Sequence, residues 1–485
     1  MKQHRSLAAL ALVSLFVSGC MVGPKYLKPS APMAPEYKEQ PPESFKEDSS
    51  WKQAQPGDQT LRGDWWQIFG DPQLNALEDE LTVSNQDLKV AETRLREARA
   101  MIRVNRSAEF PTIGTSPSIA SERFSANQPY FPSSEANSGT GNFVLPVDFS
   151  YEVDLWGKVR RTVSASKEEA QATAGDLQTA SLSLHAELAV DYFELRSSDA
   201  QKQLLDDTVK DYKEALRLTQ NRFEGGAAPK SDVAQAQTQL DGARVQDTDV
   251  TVTRAQYEHA IATLIGKPPA QFTITPAPKT ALNLPAIPVG LPASLLERRP
   301  DIAAAERRMA EANDQVGIAR AAFFPSLNIG ATGGFEGTSI INWFNWPSRL
   351  WAVGPQMSQT LFDAGRRRAV SESATANYDG TVASYRQATL TAFQQVEDNL
   401  AALRILESES QQQHEATASA QESLQLFTNR YEGGVDNYLQ VITAQTVALQ
   451  NERNDIDIER RRMDASVLLV KAVGGGWDTS QLPKY

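Results

Sequence analysis

The chain has 485 residues, 41% hydrophobic and 22% charged, with a mean hydropathy of −0.42. It is too long for one compact core, roughly three domains by length alone, and too polar for a helical membrane bundle. Its 48 Lys plus Arg against 60 Asp plus Glu leave −12, which argues against a nucleic-acid partner. A single cysteine and four scattered histidines (His4, His185, His259, His414) exclude a disulfide framework and give no local metal-ligand spacing, so no metal or cofactor is expected.

Residues 1 to 20 read MKQHRSLAALALVSLFVSGC, a basic start and an apolar run from Leu7 to Val17 that is too short to span a bilayer. Residues 1–19 are therefore an export signal, and its removal takes Lys2 and Arg5 and leaves −14. The ending Val17-Ser18-Gly19-Cys20 resembles a bacterial lipobox, which implies acylation of Cys20; an ordinary secretory signal with an incidental cysteine is the alternative. Met21, rather than an Asp, implies by the same resemblance sorting to the outer membrane. Two or more acyl groups anchor stably where one does not. Residues 20–70 read as an extended, proline-bearing arm.

The rest of the chain is duplicated, with a first repeat over 71–266 and a second over 299–474. Asp87, Glu92 and Phe110-Pro111 fall on Asp301, Glu306 and Phe324-Pro325, an offset of 324 − 110 = 214. Farther on, Asn221-Arg222-Phe223-Glu224-Gly225-Gly226 matches Asn429-Arg430-Tyr431-Glu432-Gly433-Gly434, an offset of 429 − 221 = 208. The six-residue change lies between Pro111 and Gly157, in the polar insert SERFSANQPYFPSSEANSGT.

Each repeat reads as a helix, two extended segments, a long helix, a tight turn and a returning helix. Strands are expected at about 110–120, 142–156, 324–335 and 350–362. Val147 to Leu155 alternates strictly, apolar at odd numbers and polar at even ones, as a half-buried strand does. The length also suits a membrane-spanning strand, and a soluble sheet would give the same pattern. Residues 157–222 and 365–430 lack proline, and 66 residues at 1.5 Å each make a helix of roughly 100 Å. The polar patch Arg196-Ser197-Ser198-Asp199 is the one place where the first could break into two. Tips at 223–230 and 431–437, with glycines needing φ > 0, lead to helices at 231–265 and 438–473. Residues 267–298 form a Pro-rich linker and 475–485 a tail; Gly474 to Gly476 is no phosphate loop, because no Lys-Ser/Thr follows.

The lipobox, the duplication, GLPASLLERRPDIAAAERRMAEANDQVGIARAAFFPSLNIGA at 290 to 331, YEVDLWGK at 151 to 158 and YEGGVDNYLQVITAQ at 431 to 445 together resemble the TolC-like outer-membrane factors of tripartite efflux pumps, in the lipoprotein branch that works with resistance-nodulation-division transporters. The resemblance implies a mostly α protein with a transmembrane β-barrel. A homotrimer would build it, each protomer giving four strands to a twelve-stranded barrel in outer-membrane lipid and four helical columns to a periplasmic α-barrel. The implied partners are a periplasmic membrane-fusion adaptor and an inner-membrane transporter of that class. Four strands alone cannot close a barrel, which independently requires copies to pool them.

On this reading Val147, Phe149, Tyr151, Val153 and Leu155 face lipid, while Asp148, Ser150, Glu152 and Asp154 face the lumen, and Trp343, Phe344 and Trp346 sit near the outer interface. The resemblance places adaptor docking at the tips, Gly225, Gly226, Gly433 and Gly434. It also places a constriction on the helix after the second tip, where acidic rings are frequent; the aligned positions here are Gln440 and Thr443. Leu439 and Thr443, four apart, share one helix face. Tyr431, Asp232 and Asp436 are the candidate polar latches between tips. The function expected is a passive exit duct rather than an enzyme, with a type I secretion channel and, behind it, a periplasmic adaptor as alternatives.

Overall fold

The computed structural model describes residues 21–40, 42, 63–123, 125, 127, 139–277, 284–285, 287 and 295–485; the expected export signal with Cys20, most of the polar insert and much of the linker lie outside these. The first repeat opens with a 3-10 turn (Trp65–Phe69) and two helices, α1 (Pro72–Ser84) and α2 (Gln86–Arg106). They are separate because Asn85 takes extended geometry between them. Its side-chain oxygen accepts from the Leu88 N–H at 2.8 Å, capping α2, and its amide donates to the Leu264 carbonyl at 2.8 Å.

The first strand comes in two pieces, β1 (Thr112–Gly114) and β2 (Ser118–Glu122), interrupted where Pro117 has no N–H to offer a ladder. Both pair antiparallel with β3 (Thr140–Val153). Gly157, at φ 79, turns the chain into α3 (Lys158–Glu224), and a tip leads to α4 (Lys230–Leu264). The second repeat runs through α5 (Leu295–Arg298), α6 (Pro300–Ala321), β4 (Ser326–Gly337), β5 (Arg349–Ser358), α7 (Arg366–Glu432) and α8 (Tyr438–Ala472). The sheet is antiparallel in the order β1, β3, β4, β5, with β2 also on β3.

Helices α3 and α7 have 67 residues each, about 100 Å of unbroken helix. The polar patch inside α3 does not break it, because its side chains are bonded sideways. Arg196 donates to Asp199 at 2.9 Å and to the Thr275 carbonyl at 3.0 Å, and Arg254 of α4 donates to Asp199 at 2.6 Å and to the Ile274 carbonyl at 2.7 Å. This buried hub straps the segment after α4 across the middle of the helix pair. The main apolar core lies at the same waist, where Trp65, Trp66 and Phe69 pack with Leu74, Leu81, Tyr192, Phe193, Ile302, Tyr385, Val396, Leu400 and Val467. Burying each such side chain is worth about 1.5–3 kcal/mol.

The two repeats meet along α3, which packs against α6 and α8. Arg161 is buried in that seam and holds the N-terminal arm: Nε donates to the Val22 carbonyl at 2.9 Å, Nη2 to the Pro24 carbonyl at 3.1 Å and Nη1 to Asp314 at 2.7 Å. A Cβ on Gly317 would meet the Arg161 guanidinium, so glycine is needed there for close approach. Lower down, the backbone N–H groups of Lys38 and Glu39 donate to the Glu397 carboxylate at 2.8 and 2.9 Å. At the other terminus, Gly474, Gly475 and Gly476 all have positive φ and fold the tail back so that Trp477 is buried.

Gly474→Ala is expected to destabilise by about 3 kcal/mol or more, read as a lowered Tm: its φ is +99° and an added Cβ would lie 2.2 Å from the Arg298 carbonyl oxygen. A second prediction concerns acids shared by α3 and α8. Burial, reinforced by Glu194, pushes Asp464 up to about 7, although Arg460 donates to it at 3.0 Å. Burial and the neighbouring Glu187 and Glu194 push Asp191 up to about 6. Both lie above the unfolded carboxylate range near about 3.9, so the folded chain retains protons that the unfolded chain has lost. Stability should therefore fall as pH rises from about 4 to about 7 and stay reduced above that. Asp464→Asn is expected to gain about 1–2 kcal/mol at about pH 8 and to flatten that profile. A lower Tm at that pH would mean that the ion pair outweighs the burial.

Candidate functional site

Register decides what each sheet face presents. Val147 stands opposite Gly333, which stands opposite Trp351; Phe149, Ala331 and Val353 form the next row, then Tyr151, Ile329 and Pro355, then Val153, Leu327 and Met357. Ile113 of β1 joins the Phe149 row. All these positions are odd-numbered and in phase, so one face of every strand is apolar, and Ile113, Val147, Ile329, Trp351, Val353 and Met357 are exposed on it. The opposite face carries Asp148 beside Gly114 and Thr332, Ser150 beside Thr112 and Gly330, and Glu152 beside Asn328 and Gln356. Thr332 donates to Asp148 at 2.7 Å, a polar pair across two strands.

The expected lumen acids do not all stand on the strand. Glu152 is on it and accepts from Lys158 at 3.1 Å. Asp154 and Leu155 lie past its end: the Asp154 carboxylate accepts from the N–H groups of Val159 and Arg160 at 3.1 and 2.9 Å, capping α3. The alternation in the sequence continues past Val153, but the demand of the helix start for acceptors ends the strand there. Asp363 serves α7 in the same way, accepting from the N–H groups of Gly365 and Arg367 at 3.1 and 3.2 Å.

The aromatic group between β4 and β5 folds over the apolar face. The ring centroids of Trp343 and Phe143 are 5.6 Å apart and those of Phe344 and Phe335 5.8 Å, both partners being odd-numbered strand residues. Trp346 is exposed beneath the Arg349 guanidinium, 3.9 Å from its ring centroid.

At the far ends of α3 and α7 the two tips share one design. In each, only the second glycine has positive φ, 72° at Gly226 and 73° at Gly434, while Gly225 and Gly433 stay near helical geometry at φ −80° and −72°. The N–H groups of Gly226 and Ala227 donate to the Phe223 and Arg222 carbonyls, and those of Gly434 and Val435 to the Tyr431 and Arg430 carbonyls. This is the Schellman closure, which needs one left-handed residue rather than two.

The equivalent arginines then diverge. Arg430 pairs with Asp436 at 2.6 Å, so Asp436 already has a partner in its own chain. Arg222 reaches across to the second tip, donating to the Tyr431 carbonyl at 2.7 Å with its guanidinium 4.5 Å from the Tyr431 ring centroid. Tyr431 itself is 4% exposed, packed with Tyr438, Val441 and Ala236, and is therefore a core residue of the tip rather than a surface latch. Asp232 is half-buried at the start of α4. Leu439, Gln440 and Thr443 are exposed along α8, and the Thr443 hydroxyl donates back to the Leu439 carbonyl at 2.9 Å. Nothing in the sequence pattern singles out Arg222 beyond the shared arginine of the paired NRFEGG and NRYEGG motifs.

Among the described residues no helix is long and apolar enough to cross a membrane, and no group of His, Cys, Asp and Glu is placed to hold a metal ion. The family described as outer membrane efflux protein matches residues 77–267 and 291–475, so its two matches fall one in each repeat. The chain is 32% identical over 475 residues to the probable efflux pump outer membrane protein TtgC of Pseudomonas putida, covering 98% of this chain and 96% of that protein. It is 31% identical over 469 residues to the outer membrane protein OprJ of Pseudomonas aeruginosa, covering 96% and 95%. The Campylobacter jejuni CmeC outer membrane channel superposes with a TM-score of 0.87 at 25% identity, over 95% of this chain and 96% of that one. With a sheet whose residues sort by parity, two long helix pairs and family matches over both repeats, the chain belongs to the outer membrane efflux proteins.

Proposed function

We propose that three copies of the chain form a single exit duct, a twelve-stranded barrel in the outer membrane continued by a helical tube through the periplasm. It carries small molecules passively from a periplasmic adaptor and an inner-membrane transporter of the resistance-nodulation-division class. The observation that carries this reading is the in-phase register, which gives every strand one apolar face while leaving the edges at β1 and β5 unpaired. Lipid does not tolerate open edges, so β5 of one copy pairs with β1 and β2 of the next, and β1 and β2 count as one broken strand. Three such sheets give an interior wider than a small eight-stranded barrel, whose bore side chains fill. Asp148 and Glu152 line that interior. Acylated Cys20 tethers the arm to the membrane. The test is assembly and conductance together: an unheated gel should show a trimer that dissociates on boiling, and the same material should form discrete channels in a planar bilayer. A monomer, or a trimer without channels, defeats the reading.

The tips are the adaptor-facing ends. Gly434→Trp places a large side chain at a left-handed position that has no other close side chain than Arg222, so the fold should survive while docking fails. Trimer amount is expected to stay normal and drug susceptibility to rise to that of a strain lacking the channel. Susceptibility at the unmodified level would remove the tips from the docking surface.

The narrowest point is formed by Leu439, Gln440 and Thr443 of three α8 helices. Because the Thr443 hydroxyl is bonded to its own helix, this ring presents methyl and leucine surface without a focused charge. Multivalent cations should block the unmodified channel weakly in bilayer conductance. Thr443→Asp, which sets three carboxylates together, should block at concentrations about tenfold lower or more. Tight block of the unmodified channel would assign the constriction to other acids, with Asp232 first among them.

A further inference from the structure

Basic residues gather where the helices of this chain meet the sheet. A helix start is electropositive and ordinarily takes an acid in its first turn. Of the helices that start away from the sheet, α2, α4 and α6 follow that rule with Asp87, Asp232 and Asp301, while α1 and α8 have no acid in the first turn. Helices α3 and α7 start at the sheet and break it, having no acid in the first turn. They begin instead with Lys158 and Arg160, and with Arg366, Arg367 and Arg368. The two helices that end at the sheet also carry arginines in their last turns, Arg103 and Arg106 in α2 and Arg320 in α6.

The four segments joining helices to strands, 103–111, 152–161, 320–325 and 359–368, hold nine Lys or Arg and four Asp or Glu, 9 − 4 = +5, in a chain whose total is −12. Among the described residues Arg103, Arg320, Arg366 and Arg368 are exposed and make no ion pair. The same segments expose large apolar groups: Phe110, Phe323, Leu361 at 90% and Phe362 at 86%. Leu361 and Phe362 lie just past the end of β5. Rings at the level of a membrane boundary with unpaired cations beside them are the arrangement that suits an acidic headgroup layer.

We infer that the sheet–helix junction is a binding belt for anionic phospholipid headgroups of the periplasmic leaflet, with Arg366 and Arg368 among its exposed contacts. The Asp154 and Asp363 carboxylates that cap α3 and α7 are already paired with Arg160 and Arg367, so a further anion for Arg366 and Arg368 has to come from outside the chain. The inference rests on the sheet being the membrane-spanning part.

The test uses the full chain reconstituted into bilayers of phosphatidylethanolamine alone or with phosphatidylglycerol, followed by mild detergent extraction and mass spectrometry of the retained lipid. Phosphatidylglycerol is expected to be retained in excess over its share, by about tenfold or more given the roughly fivefold preference that each surface cation confers. Arg366→Gln with Arg368→Gln should cut that preference by about tenfold. Lys213→Gln with Lys230→Gln, the same charge loss near the tip, should leave it unchanged. Raised salt should erode the preference. Equal retention of the two lipids, or a preference that survives the arginine variant, overturns the belt. So does a variant that loses trimer while its lipid preference is intact, since the arginines would then be pairing with a neighbouring copy. Failure to insert into phosphatidylethanolamine alone would instead defeat the membrane reading of the sheet, which keeps the two failures apart.

Discussion

A helix of about 100 Å has too narrow a cross-section to hold a core of its own, and most of this structure is an answer to that constraint for α3 and α7. Each is paired along its lower half with a returning helix, α4 or α8, and along its upper half with α2 or α6. The upper partners cannot reach the lower ones, and at the waist where they change over the protein concentrates its large apolar side chains and wraps chain segments across the joint. Trp65, Trp66 and Phe69 enter from before α1, Ile274 and Ile287 from after α4, and the tail after α8 closes with Trp477. Among the described residues the waist holds by far the largest buried apolar cluster.

Polar burial at that level has a different task from apolar burial. The Arg196, Asp199 and Arg254 network and the Glu78 to His185 contact at 2.6 Å, stacked under Trp66 at 4.4 Å, are costly to bury and give little net stability. What they supply is position: one links α3 to α4 and the segment after it, the other links α3 to α1. Burial pushes Glu78 well up and His185 down to about 4, disfavouring the charged form of each. Sliding α1 along α3 by one turn would separate them and strand both.

Much of this was legible from periodicity. The lengths of α3 and α7 follow from proline-free runs, and the parity of β3 from the alternation over Val147 to Val153, because both signals are local and repeat many times. What escaped was single-residue punctuation. Nothing in the composition around Asn85 announces that one asparagine ends α1 and caps α2, and Asp154 reads as the next member of an alternating series although it belongs to the helix that follows. Tyr431 looks like a polar surface residue in a tip motif and is the center of a small core, because Tyr438, the first residue of α8, folds over it at 5.2 Å between ring centroids. The two repeats also mislead by their likeness. Arg222 and Arg430 are equivalent in sequence, yet one ties the tips together and the other closes its own turn, a distinction set by which neighbour lies beside each tip.

The seat of the N-terminal arm bears on the order in which the molecule can be made. Val22 and Pro24 are held by Arg161 from the first repeat, but Arg161 is itself held by Asp314, and the space it occupies exists because Gly317 has no side chain. Those two residues belong to α6 and leave the export machinery long after the arm does. The arm must therefore wait, undocked, until α6 has been delivered and folded against α3. Contacts of such wide sequence separation form late, because the loop they close must be ordered before they return any free energy. Docking of the arm is thus a record, written in one buried guanidinium, that the second repeat has reached the first.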